Sequence, residues 1–170
     1  MEVFDAIRTR RSIRSYKNTP VEKEKLLKVL EAARLAPSAV NFQPWTFIVV
    51  TDTVVKQKLK ASYQSEWFVS APVIIVACAH PSKAWKKFDG EEYWKVDVAI
   101  AMQNLILAAW EEGLGTCWIG AFKEDEAKRV LGVPTDVRIV AMTPLGYPAE
   151  EKGPVSNRKP FKEIVRYEHW

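Results

Sequence analysis

Arg8, Arg10, Arg11, Arg14 and Lys17 crowd into one short stretch in which no acidic residue lies between Ala6 and Val21. Guanidinium groups pair bidentately with phosphate oxygens and a serine hydroxyl adds a donor, so Arg10-Arg11-Ser12-Ile13-Arg14 has the composition of a clamp for a phosphate or a polyhydroxyl chain. A solvated basic helix end and a nucleic-acid contact are the competing readings. Against nucleic acid stand the net charge of only +4 and the lack of a second basic stripe.

Two further segments offer ligand chemistry. Ala36-Pro37-Ser38-Ala39-Val40-Asn41-Phe42-Gln43-Pro44-Trp45 is bracketed by prolines and too short for regular structure. It presents Ser38, Asn41 and Gln43, which both donate and accept hydrogen bonds, as the edge of a heterocycle requires. A plain turn, with Ser and Asn satisfying local backbone, is the alternative. Gly113-Leu114-Gly115-Thr116-Cys117-Trp118-Ile119-Gly120-Ala121-Phe122 places a glycine beyond a strand, where backbone N–H groups can approach a planar ring and a developing negative charge. Gly113 itself reads as a helix terminator.

Other chemistries lack their residues. The three glycines do not form G-x-G-x-x-G and lead from helix to strand, the reverse of a dinucleotide-binding turn. No P-loop or G-x-S-x-G elbow is present, and His80 and His169 are the only histidines, which leaves little for a Ser-His-Asp triad or a metal site. Cys78 and Cys117 lie in apolar stretches without C-x-x-C spacing, so no disulfide framework is expected and a reducing cytoplasm is the expected setting. We assign no catalytic side chain and no metal ligand; any chemistry would be carried by a cofactor. Neither a signal core nor an apolar run of membrane-spanning length is seen, so membrane insertion is not expected.

These segments need a scaffold. With 170 residues, 48% of them hydrophobic, one globular domain over 1–170 is expected. Helical spacing predicts helices at Val3 to Thr9, Glu22 to Arg34 (with Leu26, Leu27, Leu30 and Ala33 inward), Asp52 towards Tyr63, Val98 to Glu112 capped by Asp97, and Glu124 to Leu131. Strands are predicted at Thr46 to Thr51, Val73 to Ala79, Thr116 to Ile119 and Val137 to Thr143. The Val98 to Glu112 helix is apolar almost all round, which requires burial on every side. A helix under a sheet and a dimer interface both meet that need; the short chain, and an apolar C-terminal tail with Phe161, Ile164, Val165 and Tyr167, favour the dimer.

In this order the segments resemble the nitroreductase family of small FMN enzymes, from Phe4-x3-Arg8 to Asn157-Arg158-Lys159-Pro160. The resemblance implies an α+β fold, a mixed, mainly antiparallel sheet flanked by helices, with a C-terminal extension crossing to the partner of a homodimer. It implies FMN at the interface. Arg10, Arg11, Ser12, Arg14 and the late Arg158 would hold the phosphate and ribityl chain; Pro37, Ser38, Ala39 and Asn41 would reach the flavin from the other subunit. Gln64 would lie at the pyrimidine edge, and the backbone of Ile119 and Gly120 would face the reactive ring. NADH or NADPH would donate hydride to flavin N5, followed in ping-pong order by a flat electron-poor acceptor such as a nitroaromatic, a quinone or a flavin. Trp67, Phe68, Trp85, Phe88, Tyr93 and Trp94 are candidates for a roof over that site, or for ordinary packing. A non-catalytic flavin sensor or store, and a basic nucleic-acid module, are the other functional readings.

Overall fold

The computed structural model describes residues 1–170. Its centre is β2 (Val73–Ala79), whose seven residues are all buried. Alternation sends Val73, Ile75, Ala77 and Ala79 to one face of the sheet and Ile74, Val76 and Cys78 to the other, so a strand this uniformly apolar must be covered on both sides. It pairs antiparallel with β1 (Trp45–Val50) and β4 (Arg138–Gly146), and β4 pairs antiparallel with the two-residue β3 (Gly115–Thr116), in the order β1-β2-β4-β3. The expected α+β fold, with a mainly antiparallel sheet between helices, is the fold observed.

One face is covered by α2 (Lys23–Arg34) and α5 (Trp94–Glu111), with α1 (Val3–Thr9) packed on α5. Val29 and Ala33 of α2 meet Val98, Met102, Leu105, Ile106 and Ala109 of α5 on this face. The inward stripe of α2 is Leu26, Val29, Leu30 and Ala33, so Leu27, expected inside, points out: the i, i+3, i+4, i+7 face centres on Val29 instead. The other face holds α3 (Thr53–Leu59), α4 (Glu66–Val69) and α6 (Glu124–Leu131) through Leu59, Phe68, Val69 and Ala127. Each large side chain buried in these layers contributes about 1.5–3 kcal/mol. No helix is long and apolar enough to cross a membrane.

Several boundaries differ from expectation for local reasons. Asp52 caps α3 through the Val55 N–H at 2.9 Å, but the helix closes at Leu59, where the Ser62 hydroxyl donates to the Leu59 carbonyl and the chain tightens into turns. α5 begins at Trp94, not Val98, and Asp97 lies inside its first turn with its own N–H bonded to Tyr93. Asp97 is therefore not the cap. The helix ends as expected at Gly113 (φ 76°), where the Leu114 N–H reaches Ala109 and the Gly113 N–H reaches Trp110. β3 stops at Thr116 because the Cys117 N–H goes to the Thr143 hydroxyl, at 3.1 Å, instead of a strand carbonyl. α7 (Phe161–Ile164) is a single turn near the C-terminus.

α5 is only partly exposed in the single chain. The rest of its own chain buries Val98, Ala101, Met102, Leu105, Ile106 and Ala109, and the uncovered stripe runs through Val96, Ile100 and Gln103. The single chain thus wraps more of this helix than its length suggested. Beside that stripe stand exposed Val3, Phe4 and Ile7 of α1 and Leu27 and Leu35 around α2.

Candidate functional site

The basic segment forms a further edge of the sheet. Ser12 bridges Thr116 in parallel, the Ile13 N–H donates to the Thr116 carbonyl at 2.9 Å, and Tyr16 bridges Pro148. Two glycines make room: a Cβ on Gly115 would stand 2.6 Å from Ile13 Cγ1, and one on Gly146 would stand 2.6 Å from Pro72 Cδ with Tyr16 close behind. Ile13 and Tyr16 are buried, and Tyr16 donates its hydroxyl to the Ile13 carbonyl at 2.6 Å, so the backbone from Arg10 to Arg14 is held rigidly.

The segment after β4 closes over this edge. Glu150 accepts the Arg14 N–H at 2.8 Å, Lys152 donates to the Ser12 carbonyl at 2.8 Å and to Glu150 at 2.9 Å, and Arg11 donates to the Gly153 carbonyl. Arg10, Arg11, Arg14 and Arg158 form no ion pair with any carboxylate of the chain. Burial holds the Arg10 guanidinium below its ordinary value, and the charges of Arg158 and Arg11 add to that effect. Residues 148 positions apart in sequence, Arg10 and Arg158, are thus brought within electrostatic reach of each other. Like charges gathered in this way repel one another, and an anion that joins them relieves the cost.

From the clamp an aromatic path leads to Gln64. The Arg14 guanidinium lies 5.9 Å from the centre of the Trp67 ring, Trp67 meets Tyr63 edge-on at 5.8 Å, and Tyr63 meets Phe68 at 5.5 Å. Gln64 is exposed and lines a cleft with Ala61, Ser62, Tyr63, Ala121, Phe122 and Lys123, across which the Lys123 N–H donates to the Ser62 carbonyl at 2.9 Å. Gly120 lines a separate hollow with Trp94, Lys95, Phe122 and Arg138, and Phe122 borders both. The Ile119 N–H and carbonyl are both taken by Met142, at 2.9 and 3.0 Å, whereas the Gly120 N–H has no acceptor in the chain. Of the two, only Gly120 has an amide to offer a ligand. Of the candidate roof residues, Phe68 and Trp94 are core. Trp85 and Tyr93 pack edge-on at 5.0 Å, and Phe88 is fully exposed on a turn tied by Lys86–Glu92 and Lys87–Glu91 ion pairs.

The Ala36 to Trp45 loop stands apart. No hydrogen bond or ion pair links it to Arg10–Arg14 or to Gln64; it is tied to α5, where Asp97 accepts the Ala39 N–H at 2.9 Å, and to the end of β2, where the His80 N–H reaches the Pro44 carbonyl. Val40, Asn41 and Gln43 all take positive φ (54°, 56° and 51°), an arrangement that costs on the order of 1–3 kcal/mol per residue and is most unusual for β-branched Val40. Ser38 Oγ accepts the Gln43 N–H at 2.9 Å, which leaves its proton free, and the exposed Asn41 side chain forms no bond. Backbone strain holds Asn41 outward with its amide unused.

No nucleophile is prepared at these sites. Burial pushes the Cys78 thiol up to about 11 and raises Cys117 as well, so neither is a thiolate near neutrality. The arrangement can bind an anion and present polar groups to a ring.

Comparison with known proteins places the chain. The nitroreductase family model matches residues 7–69 and 56–147. The chain belongs to the nitroreductase family. A Methanothermobacter thermautotrophicus relative, provisionally named an NADH dehydrogenase/NAD(P)H nitroreductase, is 40% identical over 158 residues, covering 90% of this chain and 81% of its own. A nitroreductase-family crystal structure from Clostridium difficile superposes with a TM-score of 0.90 at 32% identity over 100% of both chains. An FMN-dependent nitroreductase from the same species gives a TM-score of 0.84 at 32% identity, covering 98% of this chain and 99% of its own.

Several residues of this nitroreductase-family chain had no sequence signal. Glu150 and Lys152 sit in a polar tail that reads as solvated, and Asp97 reads as a helix cap; each acts through a backbone group distant in sequence. Gly115 carried a visible signal, an unexplained glycine at a strand start, but its reason lies in Ile13.

Proposed function

We propose that residues 1–170 form one FMN-binding unit and that two units pair as a homodimer, passing reducing equivalents from NADH or NADPH to a flat electron-poor acceptor such as a nitroaromatic, a quinone or a flavin. The observation that carries this reading is the set of unpaired arginines, Arg10, Arg11, Arg14 and Arg158, gathered on one rigid edge where Arg10 is partly desolvated. Such a set fits a dianionic phosphate, with Ser12 adding a hydroxyl. Gln64 is exposed in its cleft and the Gly120 N–H is free, so each has a polar group to offer a ring. Ile119 would contribute shape through its position before Gly120, since its backbone groups are already used.

FMN, when bound, supplies a two-electron acceptor and donor at N5, so that nicotinamide and final acceptor can use the same place in turn. The protein's part is positional. The clamp would neutralise the phosphate, Gly120 would offer its N–H to the ring where charge develops, and Pro37, Ser38, Ala39 and Asn41 would complete the enclosure from the second subunit. That the loop lacks any link to the clamp of its own chain supports a shared site. So does the uncovered apolar surface of α1, α2 and α5, including a hollow of about 320 Å³ lined by Val3, Ala6, Ala32, Leu35 and Leu107. Phe161, Ile164, Tyr167 and Trp170 are exposed on their own chain, as a tail that crosses to a partner would be. Two buried free thiols fit a reducing, cytoplasmic setting.

The test is a visible absorption spectrum of the purified protein, before and after anaerobic NADH and then NADPH. A yellow spectrum that bleaches is expected. A colourless protein that takes up no added FMN would reject the reading, and a yellow one that neither nicotinamide bleaches would point to a flavin sensor or store.

A further inference from the structure

We propose that Asp97 is a positioning residue, whose carboxylate, buried beneath the first turn of α5, holds the Ala36–Gln43 loop in the left-handed conformation that presents Ser38 and Asn41. The inference rests on the flavin reading for its consequence, though not for the anchor itself. Asp97 is 1% exposed; Oδ1 accepts the Ala39 N–H at 2.9 Å, and Oδ2, equally buried, has no partner. A buried carboxylate with an unsatisfied oxygen is a poor device for stabilising a fold, because an apolar side chain would fill the same space without the desolvation cost. Its value must lie in the bond it does make.

That bond is placed where the loop needs it. Inside the loop, the amides of Asn41, Phe42 and Gln43 turn back onto Ser38 and Ala39, so its internal bonds define a knot without fixing the knot to the body. Only the Ala39–Asp97 bond on one side and the Pro44–His80 bond on the other tie it down. Between these two ties lie the three positive-φ residues, Val40, Asn41 and Gln43. With the Asp97 tie cut, the chain can relax to ordinary φ values and Asn41 turns away. Asp97 also lies in the first turn of an eighteen-residue helix, where the N-terminal dipole favours an acidic side chain.

The experiment uses full-length Asp97→Ala and Asp97→Asn and reads two quantities. The first is hydrogen exchange at the amides of Ala39 to Gln43 in FMN-free protein, which does not depend on flavin. Asp97→Ala should speed exchange at Ala39 by about tenfold while β2 amides stay protected. The second is FMN affinity, which should fall about tenfold in Asp97→Ala and stay close to wild type in Asp97→Asn, whose amide oxygen still accepts the Ala39 N–H. Adding Val40→Gly to Asp97→Ala relieves the left-handed strain and should recover part of the lost affinity, a rescue that general damage to the core would not show. Unchanged Ala39 exchange in Asp97→Ala would overturn the anchor, and so would a tenfold FMN loss in Asp97→Asn with Ala39 still protected. If Asp97→Ala fails to fold, Asp97→Leu, which fills the volume but removes the acceptor, is read in the same way: faster Ala39 exchange is expected, and unchanged exchange would overturn the anchor. If the wild type takes up no FMN, the functional reading fails while the exchange data still decide the anchor.

Discussion

Ile13 packs so tightly over Gly115 that any side chain there would collide with it: a Cβ would stand 2.6 Å from Cγ1 and 2.9 Å from Cβ of Ile13. Ile13 is 1% exposed and cannot swing into solvent, so Gly115→Ala must displace the backbone that carries Arg10 to Arg14. Overpacking of this kind costs about 1–3 kcal/mol. Urea unfolding should show that loss, and FMN titration should show weaker binding even though no proposed ligand contact has been altered. Full retention of both would mean that the edge is more pliable than its packing implies.

Arg10 offers a test with opposite signs in the two states. In the free protein its guanidinium is partly desolvated and faces the charges of Arg158 and Arg11. Arg10→Ala should therefore leave the melting temperature of flavin-free protein unchanged or higher, while FMN affinity falls about tenfold or more with loss of a charge-assisted contact. Arg14→Ala should also weaken FMN retention, with the dimer intact. Added phosphate should stabilise the wild type more than either variant. A variant that loses free-protein stability but keeps FMN affinity would assign Arg10 to the fold and not to the ligand.

What could be read in advance followed from local pattern. The Val73–Ala79 strand, the α6 boundaries and the Gly113 terminator depend on neighbours a few residues away, and these were legible. The basic cluster was legible as composition, with a phosphate clamp as one of its readings. Its rigidity was not: it depends on Gly115 and Gly146 giving way to Ile13 and Tyr16, and on Glu150 and Lys152 returning from the far end of the chain. The same limit hid the role of Asp97. A side chain that bonds a distant backbone N–H looks, in sequence, like any acid at a helix start.

Acid should loosen the clamp through Glu150. Its carboxyl is held below the ordinary 4.5 by the Arg14 N–H, with Lys152 assisting. A group whose folded value is depressed contributes stability that is present above its unfolded value and disappears as pH falls through the folded one. FMN retention should then decline on acidification below the usual carboxylate range. Glu150→Gln, which keeps an acceptor for the Arg14 N–H without the charge, should lose that component of the acid response, as followed by flavin fluorescence between neutral and acidic pH. An identical acid profile in the variant would place the sensitivity elsewhere.

The shared site can be tested by complementation. Asn41 and Ser38 have no link to the clamp of their own chain, although Asn41 is held outward with an unused amide. In a homodimer with sites at the interface, each site would take Arg14 from one subunit and Asn41 from the other. Arg14→Ala and Asn41→Ala homodimers should each bind FMN about tenfold or more weakly, with both sites defective. A heterodimer of the two carries one site with both changes and one with neither, so it should regain half of the wild-type FMN capacity at wild-type affinity. If each site instead drew both residues from one chain, every site in the heterodimer would carry one defect and no tight binding would return. Mixing differently tagged subunits, isolating the heterodimer and titrating it with FMN distinguishes these outcomes, because the sharing of residues changes the number of tight sites and not merely their strength.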